Sequence, residues 1–287
     1  MSNLIDEKIT KKVQLCEIDI LSQIDQICQK YHLEYFAIGG TALGAVRHGG
    51  FIPWDDDIDI GMRRRDYEKF LKVATEELPK GYHIQNFYTE PNTPFYFTKI
   101  RKDGTKFVEY YLKDYDMHHG IFVDIFPFDH IPDNPWLEKI HFRISRIIYQ
   151  LFLSKSLDTV CSSRFEQQGD YKKTYKHHVR KLLHFMLKPV SKAWLFKALD
   201  KTSRMFNHCR TRRMGHVVRK RLAVSKKVLC PIQRLPFDAV WMPVPKDYDA
   251  YLKNQFGNYM DLPSEEQRYG HLPYLVEFDE GGGNECL

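Results

Sequence analysis

Asp55, Asp56, Asp57 and Asp59 stand within five positions in "WDDDIDIG", with Ile58 and Ile60 threaded through them. On a β-strand successive side chains point to opposite faces. A strand here can bury Ile58 and Ile60 only if Asp55, Asp57 and Asp59 crowd on the other face, with Asp56 on the isoleucine side. Such crowding makes full ionisation costly unless a cation neutralises the group. Hard divalent ions take oxygen ligands, and Mg²⁺ commonly combines one or two carboxylates with substrate phosphates and water. The segment therefore reads as a metal cradle suited to phosphate chemistry. The plain alternative is a solvated turn after Pro53 and Trp54, as most charge runs are; the alternation into Ile58 and Ile60 argues against it.

The surrounding pattern mixes helices and strands. Residues 4 to about 31 repeat apolar side chains at three- and four-residue steps, which predicts an amphipathic helix. "EYFAI" (34–38) predicts a buried strand ending at Gly39-Gly40, followed by a short helix over Ala42 to Val46 and a loop, "RHGGFIP". "DDIDIGM" predicts the next strand, Arg63 to Leu78 a helix, and 82–88, 96–101, 105–111 and 120–126 further strands. An α/β or α+β core follows from that mixture. In "GIFVDIFPFD" the lone carboxylate Asp124 interrupts an apolar strand, a costly placement unless it has a partner. Its natural partner is the same metal. Asp129, after Pro127, reads as a turn or helix-cap residue.

Charge divides the chain. Leu137 to Arg234 holds 24 Lys and Arg against 5 Asp and Glu, leaving 19 basic and 32 acidic residues elsewhere. The basic middle, helix-compatible to about Lys227, is expected to be an insertion at 137–234 between a core at 1–136 and a C-terminal segment at 235–287 that packs back on it. The six cysteines show neither CxxC pairs nor zinc spacing, so a reduced, cytoplasmic protein is expected. No secretory leader is expected from the charged opening residues, and no apolar run approaches the roughly 20 residues that span a bilayer. Membrane contact would be peripheral. The apolar residues of 137–234 recur among its cations closely enough for that region to lie on an anionic membrane surface; a solvated basic face is the alternative.

"YFAIGGTALGAVRHGGFIPWDDDIDIGMRRRDYEKFL", with "KIRKDGT", "HGIFVDIFPFD" and "VPKDYDAYLKNQFGNYMDLPSEEQRYGH", resembles the LicD family, whose core is nucleotidyltransferase-like. The likeness is dense over residues 30–130 and 237–271. It implies an α+β fold, a mixed-sheet core with flanking helices, and a metal-dependent transferase. LicD proteins move phosphocholine from CDP-choline onto cell-surface glycans of the teichoic acid or lipopolysaccharide type, and related fukutin proteins move ribitol phosphate. Carried over, the resemblance implies Asp55, Asp57, Asp59 and Asp124 as ligands for Mg²⁺ or Mn²⁺, with Asp57, Asp59 and Asp124 catalytic and Asp124 the candidate base. Gly39, Gly40 and Thr41 match the phosphate-binding turn. Arg47, Lys99 and Arg101 are candidate phosphate contacts, and His48, His119 and His271 fall in matched blocks. A CDP-alcohol donor and a glycan or lipid-linked glycan acceptor are the implied partners, and no nucleic acid is expected. A choline headgroup would want an aromatic cage, for which Trp54, Tyr96, Phe122, Phe126 and Trp241 are candidates.

Two other readings compete. The same carboxylates could serve transfer of the nucleotide itself, releasing pyrophosphate. The polybasic stretches "TRRMGHVVRKR" and "YKKTYKHHVRK" could instead belong to a nucleic-acid or membrane adaptor, but an adaptor has no need of the carboxylate strand.

Overall fold

The computed structural model of the chain describes residues 6–157, 175–264, 268, 270 and 273–278. The first helix, α1 (Glu7–Tyr31), starts where the Asp6 side chain accepts from the Lys8 amide at 2.8 Å and ends where His32 turns left-handed at φ 53°. Its buried stripe, Val13, Cys16, Ile20, Ile24 and Ile27, packs on a mixed sheet. After it come β1 (Tyr35–Ala37), α2 (Gly39–Arg47), β2 (Ile58–Arg63) and α3 (Arg64–Glu77), then β3 (Tyr82–Gln85), β4 (Thr98–Lys102), β5 (Thr105–Glu109) and β6 (Phe122–Ile131). The fold is α+β. The main sheet runs β1-β2-β6-β4-β3, with β2 and β6 parallel and the other pairs antiparallel.

The basic middle is not helical throughout. Helices α4 (Pro135–Ser156), α5 (Tyr175–Met186) and α6 (Lys192–Ser203) give way to β7 (Arg213–Gly215), β8 (Val224–Ser225) and a one-turn α7 (Lys226–Leu229). β7 extends the core sheet by pairing with the end of β6, Asp129 opposite Gly215 and Ile131 opposite Arg213. The reason is local: Met214, Val217, Leu222 and Val224 are buried, and a Cβ at Gly215 would lie 2.8 Å from the Ala223 backbone. Burial and close approach override the helix-compatible composition. Asp129 is likewise neither turn nor cap. It lies fully buried in β6, receives two hydrogen bonds from Arg64 at 2.8 and 2.6 Å and a third from Asn207 at 2.6 Å, and so ties the basic middle to the core.

The chain then forms a hairpin, β9 (Gln233–Phe237) and β10 (Val240–Val244), helix α8 (Tyr248–Phe256) and β11 (Pro273–Phe278), which pairs with β5. The hairpin is pinned where Asp238 accepts from the Phe51 amide at 3.0 Å, next to the loop that leads into the acidic run. Among the described residues no helix is long and apolar enough to cross a membrane.

Candidate active site

Sheet register assembles the centre of the site. Asp59 on β2 is the Cα partner of Asp124 on β6, and Lys99 on β4 is the partner of Asp124 from the other side. Opposed residues on neighbouring strands project to the same face. The Lys99 ammonium lies 2.9 and 3.2 Å from the two carboxylate oxygens of Asp124, both side chains being almost fully buried. Burial is the main cause that pushes Asp124 up to about 6; Lys99 opposes the rise and Asp59 adds to it.

The strand begins at Ile58, two residues later than the sequence pattern suggests, and Asp55, Asp56 and Asp57 form the irregular stretch between the turn at Pro53 and Trp54 and the strand. One carboxylate oxygen from each of these three lies within 4.8 Å of the others. Asp55, Asp57, Asp59 and Asp124 all line one cleft of about 440 Å³, together with Gly40, Lys99, Tyr149, Leu153, Arg219 and Arg221. Asp56 is buried and does not line it. A larger cavity, about 760 Å³, is walled by Arg63, Arg64, Lys72, His130 and Arg204. Glu68 is the one carboxylate among its lining residues, so the carboxylate cleft, although smaller, is where the chemistry can occur.

The turn at Gly39 to Thr41 is locked to this centre. Thr41 Oγ1 accepts from the Asp59 amide at 2.8 Å, and the Asp59 carbonyl accepts from the Ile38 amide at 3.0 Å. Gly39 adopts φ +55° and donates its N–H to the Tyr251 hydroxyl at 3.3 Å. A Cβ on Gly40 would sit 2.7 Å from an Asp55 carboxylate oxygen, so only glycine lets the first turn of α2 approach the acidic run.

Other candidates from the sequence lie elsewhere. Arg47 donates to the carbonyls of Tyr259 and Asp261 at 2.8 and 3.3 Å, fastening the segment after α8, and His48 lies beside it against Trp54. Arg101 is buried and donates to Gln85 at 2.6 Å and to the Gly120 carbonyl. His119 is half-buried with Nε2 at 3.0 Å from the Tyr115 carbonyl oxygen. None of these four lines the cleft. His271 lies outside the described residues. Of the five cage candidates Phe122 alone lines the cleft, and Phe122, Phe95 and Phe97 already surround the Lys99 ammonium at 3.2, 4.9 and 5.5 Å from their ring centres.

Four contributors escape a reading of the acidic strand alone. Arg219 and Arg221, from the basic middle, line the cleft together with its carboxylates. Gln14 and Glu17 approach the acidic run from α1 without lining the cleft. Gln14 donates to the Asp55 carbonyl at 2.8 Å, and Glu17 is buried with Oε2 lacking a hydrogen-bond partner among the described residues. Burial first, then Asp57, Asp56, Asp55 and Asp124, push the Glu17 carboxyl well above its usual range. Their signal in the sequence is that both interrupt the buried stripe of an amphipathic helix.

The donor set suits a hard divalent cation. Five carboxylates, Asp55, Asp57, Asp59, Glu109 and Asp124, line one cleft, and the buried Glu17 carboxyl is raised well above its usual range by burial first and then by the field of the acidic run and Asp124.

Residues 32–150 match the family model for the LicD/FKTN/FKRP nucleotidyltransferase domain. The chain carries a LicD-family domain. It is also similar almost end to end to the lipopolysaccharide cholinephosphotransferase LicD of Haemophilus influenzae, 26% identical over 276 residues, covering 92% of this chain and 97% of that protein. The ribitol 5-phosphate transferase FKRP of Mus musculus is 27% identical over 96 residues, 33% of this chain and 17% of that protein. The matched domain starts just before β1 and runs through β6 into α4, so it contains every cleft carboxylate.

Proposed function

We propose that this LicD-family chain is an enzyme that transfers a phospho-alcohol group from a CDP-alcohol to a glycan or its lipid-linked precursor, with phosphocholine from CDP-choline as the donor group and CMP as the product. The observation that carries the reading is the convergence of Asp55, Asp57, Asp59 and Asp124 on one cleft, in a chain similar along 92% of its length to a cholinephosphotransferase. With free cysteines at 16, 28, 209 and 230 among the described residues, the proposal keeps the enzyme in the reducing cytoplasm.

The cleft residues divide the work. Arg219, Arg221 and Lys99 bring positive charge to the diphosphate, and the glycine turn brings the amide end of α2 to it. Mg²⁺ or Mn²⁺, held by Asp55, Asp57, Asp59 and Asp124, would neutralise phosphate oxygens when bound. The acceptor hydroxyl attacks the distal phosphorus in line, its proton passes to a carboxylate oxygen of Asp124, and the phosphorus–oxygen bond to CMP breaks. Burial raises the Asp124 carboxyl to about 6 when no cation is beside it, which makes it a stronger base than an ordinary aspartate there.

The test is product analysis with Mg²⁺ or Mn²⁺ and a panel of CDP-choline, CDP-ribitol, CDP-glycerol and CTP. The reading expects CMP from at least one CDP-alcohol in the presence of acceptor. Pyrophosphate from CTP, with every CDP-alcohol inert, would assign the cleft to nucleotidyl transfer instead.

A further inference from the structure

Helix α4 has two opposed faces with different surroundings. On one, Tyr149 and Leu153 line the carboxylate cleft. On the other, Trp136, Ile140, Ile144 and Ile147 follow one another at one-turn steps with Leu137 beside them, all 43 to 75% exposed. Single exposed apolar residues are ordinary, but a stripe along one helix marks an interaction surface. Lys139, Arg143 and Arg146 flank the stripe, all exposed and none in an ion pair among the described residues. Glu138, the helix's one acidic residue, is turned away to Arg213 at 2.8 Å.

Helix α5 continues the pattern. It is joined to α4 by Arg180 to Gln150 at 3.1 Å and His184 to the Ser154 carbonyl at 2.9 Å. Its exposed side chains include Leu182, Phe185 and Met186, with Lys181 and Lys188 beside them, and its sequence contains no acidic residue.

We propose that α4 and α5 dock the enzyme on an anionic lipid bilayer, their apolar side chains among the acyl boundary and their cations among the headgroups. Charge selects this occupant: an apolar stripe edged only by Lys and Arg matches a surface that is apolar beneath and anionic above. Because α4 also forms a wall of the carboxylate cleft, docking sets that cleft beside the membrane surface, where a lipid-linked acceptor would be presented. Three cations of the basic run at 210–221 are engaged elsewhere. Arg213 is paired with Glu138, and Arg219 and Arg221 line the cleft.

Only the acceptor's presentation depends on the transferase reading. Vesicle binding needs neither donor nor acceptor, so it can fail while CMP release succeeds, and the reverse. The test floats the full chain with phosphatidylcholine vesicles, with and without phosphatidylglycerol, at low and high salt. Binding is expected only with the anionic lipid and weakens as salt screens it. Ile140→Ser/Ile144→Ser/Ile147→Ser and Lys139→Gln/Arg143→Gln/Arg146→Gln should each lower the bound fraction about tenfold or more, with unfolding temperature and CMP release from soluble donor unchanged. Three results would overturn the proposal: no binding to anionic vesicles, binding that neither variant weakens, or a dimer that the isoleucine variant dissociates without any affinity for lipid.

Discussion

Asp59 and Asp124 are register partners across the parallel β2–β6 pair, so two carboxylates project from adjacent positions on one sheet face with the Lys99 ammonium beside the second. One lysine balances one of them. Asp55 and Asp57 bring further negative charge to the same cleft, and Arg219 and Arg221 stand on its wall. An arrangement with this much charge at low exposure gains most when a divalent cation and a diphosphate enter together.

Removing a cleft carboxylate should therefore abolish the chemistry while leaving the fold intact. Asp57→Asn and Asp59→Asn are each expected to lower turnover by about 100-fold or more, the scale on which loss of a group stabilising developing charge is felt. Thermal unfolding without metal should not fall, since each change relieves like-charge repulsion. Turnover within a few-fold of wild type, in either variant, would remove these residues from the mechanism.

Arg221 is exposed and lines the cleft, which makes it the cleaner of the two arginines to test. Arg221→Gln should raise the KM for the donor diphosphate by about tenfold, the loss expected for one charge-assisted hydrogen bond, with the unfolding temperature unchanged. An unaltered KM would place the diphosphate elsewhere in the cleft.

The carboxylates were legible in the sequence because period-two alternation places charge by simple geometry. Asp59 and Asp124 needed only correct strands to become neighbours. Asp55 and Asp57 reach the cleft from an irregular stretch ahead of the strand, one that keeps Asp56 apart from it. What the sequence hid lies in long-range contacts. Arg219 and Arg221 enter the cleft because β7, only three residues long, pairs with β6, and "RMG" carries no strand signal of its own. Arg47 and Arg101 looked like phosphate ligands because guanidinium groups in matched blocks serve backbone carbonyls as readily as phosphates. Asp129 looked like a turn because its partners, Arg64 and Asn207, lie 65 and 78 residues away.

That buried pair yields a stability prediction. Asp129 is fully buried and the Arg64 side chain is 11% exposed, so Asp129→Ala leaves a charge without its main partner. The expected cost is about 3–5 kcal/mol, read by denaturant unfolding. The pair is not part of the cleft, so activity per folded molecule should persist at low temperature.

His216 predicts a specific acid sensitivity. It is fully buried beside Tyr96 and Phe126, with Nδ1 donating to the Pro127 carbonyl at 3.2 Å, and burial, then Arg219, lower it from 6.5 to about 3. The unfolded chain takes up this proton near pH 6.5 and the folded chain does not. Stability should be whole above pH 6.5 and fall toward pH 3 by up to about 1.4 kcal/mol per unit. His216→Gln should flatten that limb of the profile. An unchanged slope would assign the acid loss to other groups.

Glu17 predicts the opposite slope, beginning as pH rises past 4.5. Its carboxyl is held well above 4.5 by burial and by the acidic run. Below pH 4.5 the folded and unfolded chains both carry the proton, and Glu17 costs nothing. As pH rises past 4.5 the unfolded chain releases the proton while the folded chain keeps it, so stability declines until the folded carboxyl also ionises. A cation among the aspartates cancels part of the field that raises Glu17, and should recover part of the loss. In chelator, the unfolding temperature of wild type should therefore decline from pH 5 toward pH 8 more steeply than that of Glu17→Gln, which has no proton to release. Added Mg²⁺ should raise the wild type more than the variant. Parallel profiles, with equal gains from the ion, would mean that the buried carboxyl does not sense the acidic run, and that the cleft's charge is balanced by Lys99 and the arginines alone.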